Sequence, residues 1–177
     1  MRNPLMAAAM TAAAVITLLP VGTASAANPP VPDKVTCTGG SLTLKFEFGL
    51  TDRTREPDVS GSGDVGPCTS ADQPEVTGGT ITVSGRVRGQ CWSFGGDKLS
   101  MSIAWNNGSY SHFGRTKIDS DGSGYTLQGF PGQFSHESLE AKGRITEDGA
   151  KYGEECFSDS GLLSTTASIS ELTFSDS

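Results

Sequence analysis

Residues 98–113 constrain the fold more than any other part of the chain, because they combine a regular alternation with a strong turn signal. Apolar and polar side chains alternate through the first half, with the apolar positions at Leu99, Met101, Ile103 and Trp105. This period of two is typical of a strand that buries one face. Asn107-Gly108 follows, and this dipeptide tolerates the positive φ angles that tight hairpin turns require. The segment therefore predicts a β-hairpin.

Two registers of this hairpin are compatible with its turn. A two-residue loop turns Tyr110 and His112 inward. A three-residue loop with a bulge at Gly108 pairs Met101 with Phe113 instead. It turns Tyr110 and His112 outward, because one residue of slip exchanges the two faces of a strand. We expect the second register, since it buries Phe113 and leaves His112 in water.

The same alternation recurs along most of the chain. It is present in residues 41–48, where Phe48 is expected on the buried face, and in residues 79–91, 125–129 and 139–145. A short edge strand is expected around Val59, and residues 146–153 are expected to form a charged loop. The apolar positions of residues 162–174 change phase, which predicts a bulge near Ser170 or Glu171. About seven to nine strands between Gly-rich turns favour an all-β fold, an antiparallel β-sandwich, with a closed β-barrel as the alternative.

The N-terminus has the pattern of an export signal. Arg2 precedes an apolar run over residues 6–21, and Ala24-Ser25-Ala26 resembles a signal-peptidase site, so residues 1–26 are predicted to be removed. The apolar run is too short and too rich in Ala to remain as an anchor. Residues 27–36 contain three prolines and are expected to form an extended leader. Residues 37–177 are then predicted to form one secreted, extracellular domain.

All four cysteines follow the predicted signal. An even number in an exported chain predicts two disulfides. Of the three possible pairings, we favour Cys37 with Cys68 and Cys91 with Cys156, because adjacent β segments usually pair. A zinc site is disfavoured, since the chain has no Cys-x-x-Cys pair and no His near a Cys.

The charge balance limits the classes of partner. The formal net charge is −7, and no cluster of Lys and Arg offsets it. Such a surface repels phosphate backbones, so nucleic acid is not expected to bind. We expect a monomer without a membrane anchor, whose partner is an extracellular glycan or protein.

Catalytic residues are not predicted, and neither is a cofactor. The chain has two histidines, His112 and His136, and no Gly-x-Ser-x-Gly. The carboxylate pairs Glu137/Glu140 and Glu154/Glu155 lie in polar segments, where nothing nearby would raise the pKa of one partner as glycoside hydrolysis requires. The sequence therefore favours a non-enzymatic protein.

A weak calcium candidate occurs at residues 119–124. Asp119, Asp121 and Ser123 match the first half of an oxygen-rich Ca²⁺ loop. Phe130 stands where an EF-hand has its bidentate Glu, and a turn between two strands also explains the composition. These three residues therefore remain a weak calcium candidate, and no metal site is predicted.

Possible ligand-binding residues are aromatic or lie on the outer face of the hairpin. Trp92 follows Cys91 and so faces away from the apolar side of its strand, whereas Trp105 shares the parity of the core. Trp92, Tyr110 and His112 are the candidates. They fit a carbohydrate-binding module, and a secreted protease inhibitor that uses residues 64–72 as an exposed loop is the second alternative.

Several motifs resemble those of a family of small, uncharacterised secreted proteins from actinomycetes. They are Cys37-Thr38-Gly39-Gly40, then Ile103-Ala104-Trp105-Asn106-Asn107-Gly108-Ser109 followed by Phe113, and Gly129-Phe130-Pro131-Gly132-Gln133-Phe134. The resemblance covers most of the mature chain and implies a secreted β-sandwich framed by four cysteines, without a catalytic residue. Tyr110 and His112 depart from it, since small Ser or Thr residues are expected there. Together these features predict a secreted, non-catalytic protein with an extracellular binding or scaffolding role.

Overall fold

The computed structural model describes residues 29–131, 136–146 and 149–176, so the predicted signal, residues 1–26, lies outside the described part. This part contains eleven β-strands and one short α-helix, which confirms the all-β class. The elements in chain order are β1 Lys34–Cys37, β2 Gly40–Leu50, β3 Asp58–Val65, β4 Cys68–Ser70, β5 Gly79–Arg86, β6 Arg88–Gln90, β7 Ser93–Trp105, β8 Tyr110–Ser120, β9 Gly124–Phe130, β10 Ser138–Ile145, α1 Gly149–Cys156 and β11 Leu162–Ser175.

The strands close into an eight-stranded antiparallel barrel, so the predicted sandwich is wrong and its alternative is correct. The barrel order is β2-β3-β5-β7-β8-β9-β10-β11, and β11 returns to β2. The physical reason is the length of β11, which pairs with β10 on one edge and with β2 on the other. Closure in this way removes both free edges of the sheet. Strands β1 and β4 extend the sheet where the second half of β11 passes beyond β2.

The central hairpin adopts the predicted register. Met101 lies opposite Phe113, and the Trp105 N–H donates to the Ser109 carbonyl over 3.0 Å, which leaves a three-residue loop. Gly108 has a φ of 89°, as a three-residue hairpin with a bulge requires. Tyr110 is 55% exposed, and Phe113 is fully buried. The predicted register is therefore confirmed.

The predicted bulge in the last strand is also present. On β10, Lys142 pairs with Glu171 and the next residue, Gly143, pairs with Ile169. Ser170 is thus the extra residue of β11. The bulge lets Ile169 and Leu172 both face the core despite their different parity.

The predicted disulfide pairing is confirmed at both bridges. Cys37 bonds Cys68 across directly opposed positions of β1 and β4. Cys91 bonds Cys156, which ties the turn before β7 to the end of α1. The two bridges lie at opposite ends of β2, since Cys37 precedes its start and the Cys91 sulfur lies 3.0 Å from the Leu50 carbonyl oxygen at its end.

Side chains fill the interior of the barrel. Phe174 packs against Trp105 and Phe113, with ring centroids 5.6 Å and 6.2 Å apart. Inward glycines make room for large neighbours: a Cβ built on Gly129 would lie 2.7 Å from the Phe113 ring, and one on Gly61 would lie 2.6 Å from a Leu44 methyl group. An eight-stranded barrel is just wide enough for such a packed core. A ligand must therefore be recognised on the outer surface or at the ends.

Three local predictions in the first half of the chain need correction. Phe48 is 42% exposed, because the pairing of β2 with β11 shifts between Lys45 and Leu50 and breaks the alternation. The strand around Val59 is not an edge, since β3 is hydrogen-bonded to β2 on one side and to β5 on the other. The regular structure also begins at Lys34, so part of the expected leader belongs to the sheet.

The predicted charged loop at residues 146–153 contains most of a helix instead. Helix α1 includes Gly149 and Gly153, which lower its intrinsic helix propensity. Tyr152 and Cys156 lie one turn apart on its buried face. Tertiary contacts from these two residues therefore hold the helix.

Candidate functional site

The candidate site begins at the tip of a short hairpin at one end of the barrel. Gln90 on β6 pairs with Ser93 on β7, so Cys91 and Trp92 form a two-residue turn. Cys91 is fully buried, whereas the Trp92 side chain is 42% exposed. The predicted surface position of Trp92 is thus confirmed.

Helix α1 and the residue that follows it pack against this tip, and each supplies one more aromatic ring. The Tyr152 ring centroid lies 5.7 Å from that of Trp92, and the Phe157 ring centroid lies 6.2 Å from it. Phe157 is 69% exposed, whereas Tyr152 is buried. We call Trp92, Tyr152 and Phe157 the ring cluster.

The ring cluster is fixed by covalent and polar bonds. The Cys91–Cys156 disulfide joins the residue before Trp92 to the residue before Phe157. The Tyr152 hydroxyl donates a hydrogen bond to the Cys91 carbonyl oxygen. The cluster is therefore a preformed surface, held from both the turn and the helix.

Sequence reasoning identified only Trp92 of these three residues. The signal for Phe157 was the predicted Cys91–Cys156 bridge, because both cysteines of this bridge are followed directly by an aromatic residue. No comparable pattern marked Tyr152, since its helix was not predicted.

A groove of about 740 Å³ runs across the strands next to the ring cluster. Strands β6 and β7, the two arms of the hairpin that carries Trp92, both line the groove. Four glycines line it, at Gly89, Gly95, Gly124 and Gly143. Its polar wall contains Thr54, Arg88, Ser93, Asp119, Ser120, Asp121, Thr126 and Lys142.

Two charged side chains of the groove wall, Asp119 and Lys142, are paired with neighbours on their own strands. The Lys117 ammonium lies 2.7 Å from Asp119, and the Lys142 ammonium lies 3.1 Å from Glu140. The hydrogen bond that Lys142 donates to the Glu140 carboxylate raises the pKa of Lys142. Both pairs are about half exposed, so the groove presents donors and acceptors of both signs without a dominant charge.

Comparison with known proteins adds no assignment to this geometry. No family model, curated protein or solved structure matches the chain. Across the described residues, no helix has the length and apolar composition needed to cross a bilayer.

The calcium candidates are engaged in other contacts. The Asp121 carboxylate accepts hydrogen bonds from the Gly124 N–H and from the N–H and hydroxyl of Ser123, over 2.8 to 3.0 Å. These bonds, the one from Gly124 foremost, lower the pKa of Asp121. Asp119 bonds Lys117 instead. Within residues 29–131, 136–146 and 149–176, no group of three or more His, Cys, Asp or Glu side chains could hold a metal ion.

Tyr110 and His112 are not brought together with Trp92. They lie on the outer face at the start of β8, beside the end of β7, whereas Trp92 precedes its start. At a rise of about 3.3 Å per residue, the length of β7 separates them by roughly 40 Å. The His112 backbone N–H donates to the Glu137 carboxylate over 3.3 Å, and burial raises the pKa of Glu137. The hairpin face and the ring cluster are thus separate surfaces.

Residues 64–72, the loop considered for protease inhibition, are largely part of the sheet. The Gly66 N–H donates to the Gly39 carbonyl over 3.0 Å, and the Cys68 N–H donates to the Thr77 carbonyl over 2.8 Å. The Pro67 carbonyl accepts from the Thr38 N–H. Because these backbone groups are occupied, the segment is not a projecting loop.

Proposed function

We propose that this chain is a secreted, non-enzymatic protein that binds carbohydrate through the ring cluster. The observation that carries the proposal is the exposed Trp92 ring on a disulfide-bonded turn, with Phe157 beside it. Sugar rings present apolar C–H faces, and an exposed aromatic face can stack on them while the sugar hydroxyls remain in water. Solvent-exposed aromatic clusters of this kind mark recognition surfaces.

Rigidity supports this role. The Cys91–Cys156 disulfide and the Tyr152 hydrogen bond to Cys91 hold the turn and the helix together before any ligand arrives. A surface that is already ordered loses little conformational entropy on binding. Weak stacking contacts can then give useful affinity.

The charge of the molecule favours an uncharged ligand. The chain carries a formal net charge of −7, so an anionic polymer would be repelled. The ring cluster itself contains no charged side chain. A neutral glycan therefore suits this surface better than an acidic one.

An extracellular setting is consistent with the bonds in the fold. Two disulfides are present, and such bonds persist in oxidising environments. Export would expose the ring cluster to the insoluble glycans outside the cell.

The test is retention of the purified protein on insoluble chitin, cellulose and peptidoglycan. We expect retention on at least one polymer, lost in both Trp92→Ala and Phe157→Ala. Tyr110→Ala is the matched control, because Tyr110 is also an exposed aromatic but lies at the other end of β7. Circular dichroism must show the same fold in all variants. Wild-type behaviour of Trp92→Ala, or no retention on any of the three polymers, would overturn the proposal.

A further inference from the structure

We infer that the groove beside the ring cluster is a second subsite, which holds further units of a neutral glycan chain stacked on Trp92. This inference rests on the proposed function, because the ring cluster supplies the first subsite. The ligand is then an oligosaccharide that extends beyond the sugar units stacked on the ring cluster and into the groove.

The groove and the ring cluster share one structural element. Trp92 forms the tip of the β6–β7 hairpin, and Ser93 and Gly95 on β7 line the groove. The β8–β9 turn closes the same edge, since a Cβ built on Gly122 would lie 2.7 Å from the Trp92 carbonyl oxygen. A chain that leaves the rings along β7 therefore enters the groove within a few residues.

One row of facing residues forms the floor and wall of the groove. Gly95 lies opposite Asp119, Asp119 lies opposite Thr126, and Thr126 lies opposite Lys142. A Cβ built on Gly95 would lie 3.0 Å from an Asp119 carboxylate oxygen, so the Asp119 side chain extends over this position. Neighbouring strands are about 4.8 Å apart, so the Cα atoms of Asp119 and Lys142 lie roughly 10 Å apart, with Thr126 between them. This span exceeds one sugar ring.

The side chains in the row match the hydrogen-bonding pattern of sugar hydroxyls. A sugar hydroxyl both donates and accepts, while Asp119 accepts, Lys142 donates and Thr126 does both. Lys117 and Glu140 hold the two charged groups in place on the flanking positions. The paired charges cancel, which favours a neutral glycan, and a volume of about 740 Å³ is within the range of small-ligand sites.

The test is the dependence of affinity on oligosaccharide length, measured by calorimetry with cello-oligosaccharides and chito-oligosaccharides of two to six units. Thr126→Arg fills the groove. Thr80→Arg is the matched control, because Thr80 is an exposed threonine at an outward position of β5, outside the groove. We expect the wild type and Thr80→Arg to bind the tetrasaccharide at least tenfold more tightly than the disaccharide.

Thr126→Arg should bind the disaccharide as tightly as the wild type does but lose the tenfold gain with the tetrasaccharide. This result would show that the groove binds sugar units beyond those stacked on the ring cluster. A tenfold gain that survives in Thr126→Arg overturns the groove subsite. Equal affinity for short and long ligands in the wild type, with binding still sensitive to Trp92→Ala, overturns the subsite and leaves the proposed function standing. No binding of any oligosaccharide contradicts both.

Discussion

The hydroxyl of Tyr152 donates a hydrogen bond to the carbonyl oxygen of Cys91, whose sulfur is bonded to Cys156 one helical turn further on. Helix α1 is thus attached to the β6–β7 turn at two successive positions of its buried face. This double attachment explains how an eight-residue helix with two glycines remains in place. It also sets the positions of Trp92 and Phe157.

Removal of the Cys91–Cys156 disulfide should therefore abolish glycan binding as well as lower stability. From its 65-residue separation, we expect the double Ser variant to lose about 4 kcal/mol of unfolding free energy on the loop-entropy model. Urea denaturation followed by circular dichroism measures this loss, and polymer retention measures binding.

The Cys37–Cys68 bridge is the matched control for that variant. Its 31-residue separation predicts a similar loss, of about 4 kcal/mol, when both cysteines are replaced by Ser. Binding should survive, because this bridge lies at the other end of β2 from the ring cluster. Equal loss of binding in both variants would show that stability alone, and not the position of the rings, accounts for the effect.

Gly129→Ala should destabilise the barrel by overpacking its core. The new methyl group would lie 2.7 Å from a Phe113 ring carbon and 3.0 Å from the Met101 terminal methyl group. Such overpacking typically costs about 1 to 3 kcal/mol. Gly114→Ala, where nothing lies within 4 Å of the added carbon, should be close to neutral in thermal denaturation. Equal melting temperatures for the two variants would contradict a filled interior.

Ser111→Ala should leave the buried Trp105 indole without its acceptor. The Trp105 Nε1–H donates to the Ser111 hydroxyl over 3.1 Å, and both residues are buried. An unsatisfied buried donor costs about 1 to 3 kcal/mol. Ser102→Ala, at a partly exposed outward position of β7, should cost less in the same urea titration.

The parts of the fold that follow from local alternation could be predicted from the sequence. The hairpin register followed from the need to bury Phe113, and the bulge at Ser170 followed from the phase change in its strand. Both predictions need only the two-residue alternation of side chains along a strand and the cost of exposing a large apolar side chain. The disulfide pairing followed in the same way from the adjacency of β segments.

Features that depend on distant partners could not be predicted in this way. Closure of the barrel requires β11 to pair on both edges, and a strand with one buried face looks the same in a barrel and in a sandwich. The length of β3 and its place inside the sheet could not be predicted from alternation. Gly61 occupies an inward position of β3, where the Leu44 side chain from β2 supplies the apolar volume. Tyr152 was missed because its helix is held by tertiary contacts and not by its own propensity.

Two carboxyl groups should titrate on opposite sides of their ordinary values. Hydrogen bonds lower the pKa of Asp121 below 3.8, so its stabilising contribution is present above that pH and is lost as the pH falls through the folded-state value. Burial raises the pKa of Glu137 above 4.5, so its contribution is present below that pH and is lost as the pH rises through the folded-state value. Carboxyl carbon shifts in an NMR titration give both midpoints. A midpoint for Glu137 below that of Asp121 would contradict the two environments.

Tryptophan fluorescence tests glycan binding by the ring cluster most directly. The chain has two tryptophans, of which Trp92 is 42% exposed and Trp105 is 3% exposed. A ligand that stacks on the ring cluster should change only the Trp92 emission. On titration with cellohexaose and chitohexaose, we predict a saturable shift of the emission maximum with at least one sugar, absent in Trp92→Ala. No shift with either sugar, or the same shift in Trp92→Ala, would contradict carbohydrate binding at this site.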